Sequence, residues 1–597
     1  MLLKILNNRF FKLFFFSLCF VILFSKSDRL FYWTSDKPTD ASVVQSDGSG
    51  YYAFLPQWFT YGTAHFEFAP KIYKKYPDKR YTDFLGTNKE SPTAYNKYYP
   101  GTAIALTPFY LIGDLHAKIA GVDQDGYSWP YMLWTNLGVI FFSVFGAYGL
   151  FRLTQLYKIH PLGSYLVVLA ALFATNLCYY TTVELPFSHV FGFALNTWFL
   201  VHVKLWAETK KSRNFYWLSA IIGLLIVIRP TNLFILFFVP FLFKSSSSFW
   251  NYLKYIFVNR KLMLTIGLVL SLVFIAVHLH NVYSQTGSFS MNSYGPEGFS
   301  NWKSPFIWDV LFSYKKGLFV YTPILFLLIP ALVVCCIKER RIFWGTLLIF
   351  SLITYSTASW WMWYFGGGLG ARNYIDFMGI FLLAVALAYQ HIHWVFKAAF
   401  FTCTVIGIWV YQIYDYQMRN MILHYETVSK EGFWEVFLET DLRFQYYIVI
   451  PFDKEPETRK NVKGPLFLLN KAKEEVGNSV LEISRFDGPA DPCLSFKTTE
   501  FCNSEKRVGL EFNTDIRIYD HFTKPWLNVF LYNNDSLIES KSIQFGGKIR
   551  ELNEFSSPKL FLNLNSKWNE IDSLKIWFDQ NDGDAGVKNS RIQFYSH

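Results

Sequence analysis

The sequence predicts a polytopic α-helical membrane bundle followed by an extracytoplasmic β-sandwich-like domain. Three observations carry this expectation. Apolar runs of roughly twenty residues recur along the first two-thirds of the chain, the length a helix needs to cross a bilayer. Charged residues make up only 17% of the 597 positions, against roughly 25% in ordinary soluble domains, while aromatic residues reach 20%. The last third changes to short alternating runs separated by turn residues. A mean hydropathy of +0.18 agrees, being too low for bare membrane helices and too high for a water-soluble enzyme. This composition excludes a disordered chain, a collagen-like chain and a disulfide-dense scaffold.

The N-terminus carries Lys4, Arg9 and Lys12, then an apolar run to Phe24. The next residues, Ser25-Lys26-Ser27-Asp28-Arg29, form no small-residue cleavage site, so the run reads as an uncleaved first transmembrane helix. Further crossings are expected near 129–151, 162–180, 187–206, 262–281, 317–337, 342–361, 371–389 and 396–414. Lys and Arg in short loops set orientation. Three basic clusters should be cytoplasmic: Lys204 to Arg213, Lys244 to Lys261, and Lys338 with Arg340 and Arg341. Segment 217–243 begins and ends at such loops, so it reads as a hairpin of two short helices turning at Arg229-Pro230. By the same logic 100–119, with Pro108, Asp114, His116 and Lys118, is an amphipathic or partly inserted helix on the outer side. About nine full crossings and one hairpin result. The N-terminus is cytoplasmic, and 27–128 forms the first outer loop.

The domain reading is 1–415 for the bundle, 416–465 for a mixed connecting segment and 466–597 for the β-rich domain. Strands are expected over Val508–Phe512, Leu527–Tyr532, Leu574–Phe578 and Arg591–Phe594. Asn533-Asn534-Asp535, Gly546-Gly547 and Asn581-Asp582-Gly583-Asp584 supply the turns. The last of these has calcium-loop composition without the EF-hand spacing and reads as a polar turn. The net charge of +11 is assigned to cytoplasmic loops facing anionic lipid, not to nucleic acid. Five of the seven cysteines lie in apolar runs; Cys493 and Cys502 lie in the polar region, where an oxidising compartment would let them pair. No metal-type Cys/His cluster is present.

A few polar residues stand out against this apolar background. Asp47 lies about twenty residues beyond the first helix, within Ser46-Asp47-Gly48-Ser49-Gly50-Tyr51-Tyr52. It is either a carboxylate held at the membrane surface as a general base or an N-cap in a glycine-rich turn. Arg229 interrupts an apolar run, and a charge there costs about 3 kcal/mol on insertion scales, so it should face a partner, a cavity or a headgroup. Arg372 follows the glycine-rich stretch 365–370, with Asp376 one helical turn on as its expected partner. Glu184 and His189 flank Pro186 at the outer end of two crossings, as cavity-lining residues or as ordinary loop and helix-end groups. Lys315 and Lys316 either bind phosphate or, as the favoured reading, anchor the next helix at the interface.

Taken in order, these features resemble the GT-C glycosyltransferases, which include protein O-mannosyltransferases and the aminoarabinose transferases of lipid A. The resemblance rests on the Asp47 motif, then Asn96-Lys97-Tyr98-Tyr99-Pro100-Gly101, then Arg229-Pro230-Thr231-Asn232, then Gly367-Gly368-Leu369-Gly370-Ala371-Arg372, and covers roughly residues 9–415. It implies a sugar donor on a polyprenyl phosphate and a lipid, glycan or protein acceptor attacking from outside the membrane. Asp47 is then the base and Arg229 and Arg372 hold the donor phosphate. Tyr51, Glu184 and His189 contact substrate. The implied location is a bacterial inner membrane, with the C-terminal domain periplasmic. The family often places a second acid beside the first; here Gly48 follows Asp47, which leaves a divalent cation an open question and fixes no cofactor. The alternative class is a non-enzymatic transporter or flippase of lipid-linked glycans. Such a protein should carry broken helices at matched positions in two halves. The chain has one such break, at Arg229-Pro230.

Overall fold

The computed structural model describes residues 2–27, 43–44, 46–76, 85–87, 94–290, 294, 297–424, 428–441 and 444. In the C-terminal part it describes 460–461, 467–469, 481–482, 494–497, 507–518, 526–534, 536–544, 559–567, 573–579 and 585–596. The chain divides into two compact units, Met1–Asp415 and Tyr416–His597.

Six helices among the described residues are long and apolar enough to cross a membrane: Trp129–Leu156, Ser188–Thr209, Lys261–Thr286, Arg340–Ser359, Arg372–His391 and Trp394–Arg419. With six such helices the chain is a multi-pass membrane protein. The first long helix, Arg9–Lys26, follows a short one over Leu2–Asn7, is shorter than these six and carries basic residues at both ends. It packs on Trp129–Leu156, which in turn packs on Ser188–Thr209. At its far end Lys26 reaches the Asp415 carboxylate at 3.2 Å; that aspartate is 1% exposed. The two helices bearing this pair therefore end at the same level.

Two runs expected as single crossings are broken. Segment 162–180 is a helix over Pro161–Phe173 and a second over Leu177–Thr182. The Thr175 hydroxyl bonds back to the Ala171 carbonyl at 2.7 Å and accepts from the Leu177 amide at 3.3 Å. Side-chain bonds of this kind offer the backbone an alternative to the helical ladder. Segment 317–337 is a short helix Leu318–Tyr321, a 3-10 turn Pro323–Leu327 and a helix Leu328–Lys338. Pro323 lacks the amide hydrogen and drives Thr322 out of helical geometry, to φ −134 and ψ 63.

The break at Arg229 appears where the sequence puts it. Helix Ser212–Ile228 stops, Arg229 is extended, and Pro230–Leu242 continues as a 3-10 helix. The tighter winding rises about 2.0 Å per residue, so the second arm reaches about 26 Å, as the first does at about 1.5 Å per residue. The following helix, Ser246–Asn259, turns away by 109°. It exposes Trp250, Tyr255, Phe257 and Val258, as an interfacial helix does. Segment 100–119 is a helix, Gly101–Ala120, packed on Trp129–Leu156 and not among the six spans.

In the second unit the Gln417 amide donates to the Glu439 carbonyl at 2.8 Å, and Ser429 caps the short helix Lys430–Glu435. Two antiparallel sheets follow. One is built on Arg507–Ile518 between Lys559–Lys567 and Ala585–Ser596; the other runs Leu494–Lys497, Ser573–Asp579, Trp526–Asn533, Ser536–Gln544. All four expected strand segments lie within these strands. Asn533 pairs with Ser536 across the hairpin, and Asn534 takes φ 49, the left-handed value that asparagine tolerates at a tight turn. Val529 and Leu531 are buried, alternating with half-exposed Phe530 and Tyr532. Cys493, Cys502, Gly546-Gly547 and the turn 581–584 lie outside the described residues.

Candidate functional site

Asp47 opens a short helix, Asp47–Tyr52, immediately after the extended bridge of Val44 with Leu185. Gly48 lets this helix sit directly on that chain: a Cβ there would lie 2.3 Å from the Leu185 carbonyl oxygen and 2.7 Å from its carbon. Both are backbone atoms and cannot swing aside. Gly48→Ala is therefore expected to lower stability by about 1–3 kcal/mol and to lower activity with it, because Asp47 moves with the helix. Thermal denaturation in detergent beside a turnover assay checks this; an unchanged melting temperature would show that the contact yields.

The Asp47 carboxylate has two fixed partners. Tyr98 donates to Oδ1 at 2.8 Å and Arg372 Nη2 donates to Oδ2 at 2.7 Å. Tyr98 is held by its own neighbourhood: its ring lies over Gly50 and against Tyr51, and Asn96 donates to the Gly50 carbonyl at 2.7 Å. Burial and the adjacent Asp47 charge push the Tyr98 phenol well above its usual range, so it stays a donor. Each carboxylate oxygen accepts at more than one site, and the Asp47 side chain is 28% exposed. A hydroxyl group in the cavity can therefore approach it.

The cavity has a volume of about 520 Å³. Its walls come from Asp47, Tyr51 and 97–99 after the first helix, and from Arg229–Thr231 at the helix break. Tyr294 and 297–299 after Lys261–Thr286, Ile353, Ser356 and Thr357 near the end of Arg340–Ser359, the stretches 360–362 and 365–367 beyond it, and Arg372 with Asn373 complete it. All these segments meet at one end of the bundle. Arg372 lies 4.9 Å from the Phe187 ring and is largely buried, with its charge committed to Asp47. Arg229 is half-buried; its Nη1 lies 3.2 Å from His189 Nε2 and its Nη2 donates to Asn373 Oδ1 at 3.1 Å. The loop before Arg372 carries Phe365 at φ 55, a left-handed conformation costing a non-glycine residue about 1–3 kcal/mol. Phe365 stacks on Trp360 at 5.9 Å and faces Arg229.

Four of the six candidate residues, Asp47, Tyr51, Arg229 and Arg372, thus line one cavity. His189 stands behind Arg229 and does not line it; Glu184 is half-buried and outside the lining. The expected Arg372–Asp376 pair does not form. Arg372–Phe377 is a 3-10 helix, in which positions three apart, not four, share a face. Asp376 instead meets His189 Nδ1 at 2.7 Å. Lys316 is no interfacial anchor: it is 3% exposed and donates to the Gly368 carbonyl beneath the glycine loop. Lys315 lies 3.3 Å over the Tyr364 ring. Tyr98, Asn373 and Lys316 carry no sequence signal of their own for these contacts. Only the paired tyrosines 98–99 inside the second motif hinted at a role. Among the described residues no group of three or more His, Cys, Asp or Glu side chains is placed to hold a metal ion.

No protein-family model matches the chain, and no curated protein does. Among solved structures the chain is similar to ArnT from Cupriavidus metallidurans, crystallised with undecaprenyl phosphate bound. The match covers 74% of this chain and 70% of that one at 12% identity, with a TM-score of 0.41. A likeness that loose assigns no activity.

The arrangement itself defines what the cavity can do. It presents one oriented carboxylate with spare acceptor capacity, one guanidinium tied to that carboxylate, and one guanidinium held only by neutral groups. The aromatic faces of Tyr51, Tyr98, Tyr294 and Trp360 surround them. That set suits an anionic ligand with an apolar or sugar-like body, and a proton-accepting step beside the anion.

Proposed function

We propose that the chain is a membrane glycosyltransferase that moves a sugar from a polyprenyl-phosphate donor to an acceptor hydroxyl on the extracytoplasmic side. The observation that carries this reading is the meeting of Asp47, Arg229 and Arg372, drawn from three distant sequence motifs, in one cavity. The acceptor O–H gives its proton to Asp47 as its oxygen bonds the anomeric carbon. The bond from that carbon to the phosphate oxygen breaks on the opposite face, and the electron pair leaves with the phosphate, which becomes a dianion. Fixed cations serve this leaving group better than a proton donor does. Arg229 faces it directly, and Arg372 adds its field while orienting the base. Tyr51 packs on the sugar.

The topology that goes with this reading counts Arg9–Lys26 and the broken apolar segments 161–182 and 318–338 as further crossings, for nine in all, with 212–242 as the hairpin. The basic loops face the cytoplasm, and the C-terminal sheets form a sandwich on the outer side of a bacterial inner membrane. Acceptors in the lipid, glycan and protein classes all carry the required hydroxyl.

The test is donor turnover by the purified protein in lipid vesicles, across a panel of polyprenyl-phosphate sugars with and without envelope-lipid acceptors. Release of polyprenyl phosphate with sugar transfer supports the proposal. Movement of the intact lipid-linked sugar across the bilayer without cleavage would replace it with a transporter. Failure to bind any donor would sink it.

A further inference from the structure

We infer that Asp376 and His189 form a positioning couple that fixes the Arg229 guanidinium toward the cavity and leaves its charge free for an anion. This rests on the reading of Arg229 as the donor-phosphate cation. The argument begins with what an arginine can do. Its nitrogens only donate, so His189 Nε2, at 3.2 Å from Arg229 Nη1, must offer its lone pair. The imidazole is therefore neutral and carries its proton on Nδ1. That N–H points at Asp376 Oδ2, 2.7 Å away, and a carboxylate can only accept it. One tautomer satisfies both contacts and no other does.

The second fork nitrogen is fixed in the same manner. Arg229 Nη2 donates to Asn373 Oδ1 at 3.1 Å, and the Asn373 amide nitrogen donates to Thr357 Oγ1 at 3.3 Å. The second bond sets which end of the amide faces the arginine. Two contacts on two nitrogens hold the guanidinium plane. Neither contact is to a carboxylate, and no salt bridge to Arg229 exists among the described residues. The two arginines are thus committed differently: Arg372 is neutralised directly by Asp47, whereas the charge that balances Arg229 is held one imidazole away.

The couple is built into the bundle and has no access to substrate. The side chains of His189 and Asp376 are 1% and 3% exposed, and neither lines the cavity. Asn196 donates to the Asp376 main-chain carbonyl at 3.0 Å and to Asn232 at 2.8 Å. The facing helix makes room through Gly192, where a Cβ would fall 1.7 Å from Asp376 Oδ1. The carboxylate position therefore depends on a glycine that does not line the cavity.

The experiment measures binding of undecaprenyl phosphate to the full chain in nanodiscs, with folding of each variant checked by thermal denaturation. His189→Phe fills the ring volume without an acceptor. His189→Gln keeps an acceptor oxygen where Nε2 stands. Gly192→Ala displaces Asp376. The expected result is a Kd raised about tenfold or more in His189→Phe and in Gly192→Ala, with His189→Gln returning to within about threefold of wild type. Wild-type affinity in all three variants would reduce the couple to packing and overturn the inference. Equal losses in His189→Gln and His189→Phe would overturn it too, by assigning the ring a role of its own. Nitrogen-15 NMR of histidine-labelled protein, with His189→Gln to assign the signal, reads the tautomer without any donor. A neutral ring protonated on Nδ1 supports the couple even if wild type binds no undecaprenyl phosphate, a result that would count against the donor reading alone. An imidazolium or an Nε2-protonated ring overturns it.

Discussion

Asp47→Asn is expected to leave a folded protein whose turnover falls about 10²–10⁴-fold, the usual worth of a positioned base, while its affinity for the donor holds or improves. The substitution keeps the shape of the side chain and an oxygen to accept from Tyr98, which lies 2.8 Å from the carboxylate. What disappears is the charge. Arg372, now without its anion at 2.7 Å, becomes available to the donor phosphate, and a negative charge that repels that phosphate is gone. Both changes favour donor binding. A purely structural aspartate would behave differently, losing binding and turnover together. Single-turnover kinetics with a radiolabelled donor, beside a binding measurement, separates the two outcomes. Full turnover in the variant would move the base to another group.

Arg372→Met should be the more damaging of the two arginine replacements. It removes a cation from the cavity, which for a single preorganised donor group costs about 10²–10³ in rate. It also strands Asp47. A charged hydrogen bond of this kind is worth about 1.5–3 kcal/mol, discounted here because the carboxylate is 28% exposed. Arg229→Met lacks this second penalty, since its partners are a neutral imidazole and an amide. The signature is therefore in the double variant. Asp47→Asn with Arg372→Met should recover part of the stability lost by Arg372→Met alone while remaining inactive, whereas Asp47→Asn with Arg229→Met should be additive. Coupling between contacting residues is typically about 0.5–3 kcal/mol and distant pairs add within about 0.5. Denaturation midpoints of the three single and two double variants, beside wild type, decide it; additivity in both pairs would mean that the Asp47–Arg372 contact contributes nothing.

The sequence made the charged members of the site visible, because each is conspicuous against an apolar background. A lone arginine in a hydrophobic run demands an explanation, and so does an acid among glycines. Their partners were not visible. His189 and Asp376 are 187 positions apart, and Asp47 and Arg372 are 325 apart; no local pattern encodes such pairings. The Arg372–Asp376 expectation failed for a definite reason, since helical spacing was assumed where the backbone winds as 3-10. Lys316 failed differently: lysines at helix ends usually reach the interface, and only the covering glycine loop makes this one buried. Apolar length located the crossings near 129–151 and 342–361 well. It could not register the breaks at Thr175 and Thr322, because a run of apolar residues reads the same whether its backbone is continuous or not. Pro323 was the available warning.

The pair between Lys26 and Asp415 ties the timing of synthesis to the completeness of the bundle. Lys26 leaves the ribosome roughly 390 residues before its partner, about 20–80 s earlier at ordinary elongation rates. Through that interval the helix Arg9–Lys26 has its terminal lysine without the carboxylate that later receives it. The last helix of the first unit brings that carboxylate, so its arrival acts as a latch between the helices Arg9–Lys26 and Trp394–Arg419. A nascent chain stopped short of Asp415 leaves Lys26 without this carboxylate, and one carried past it does not.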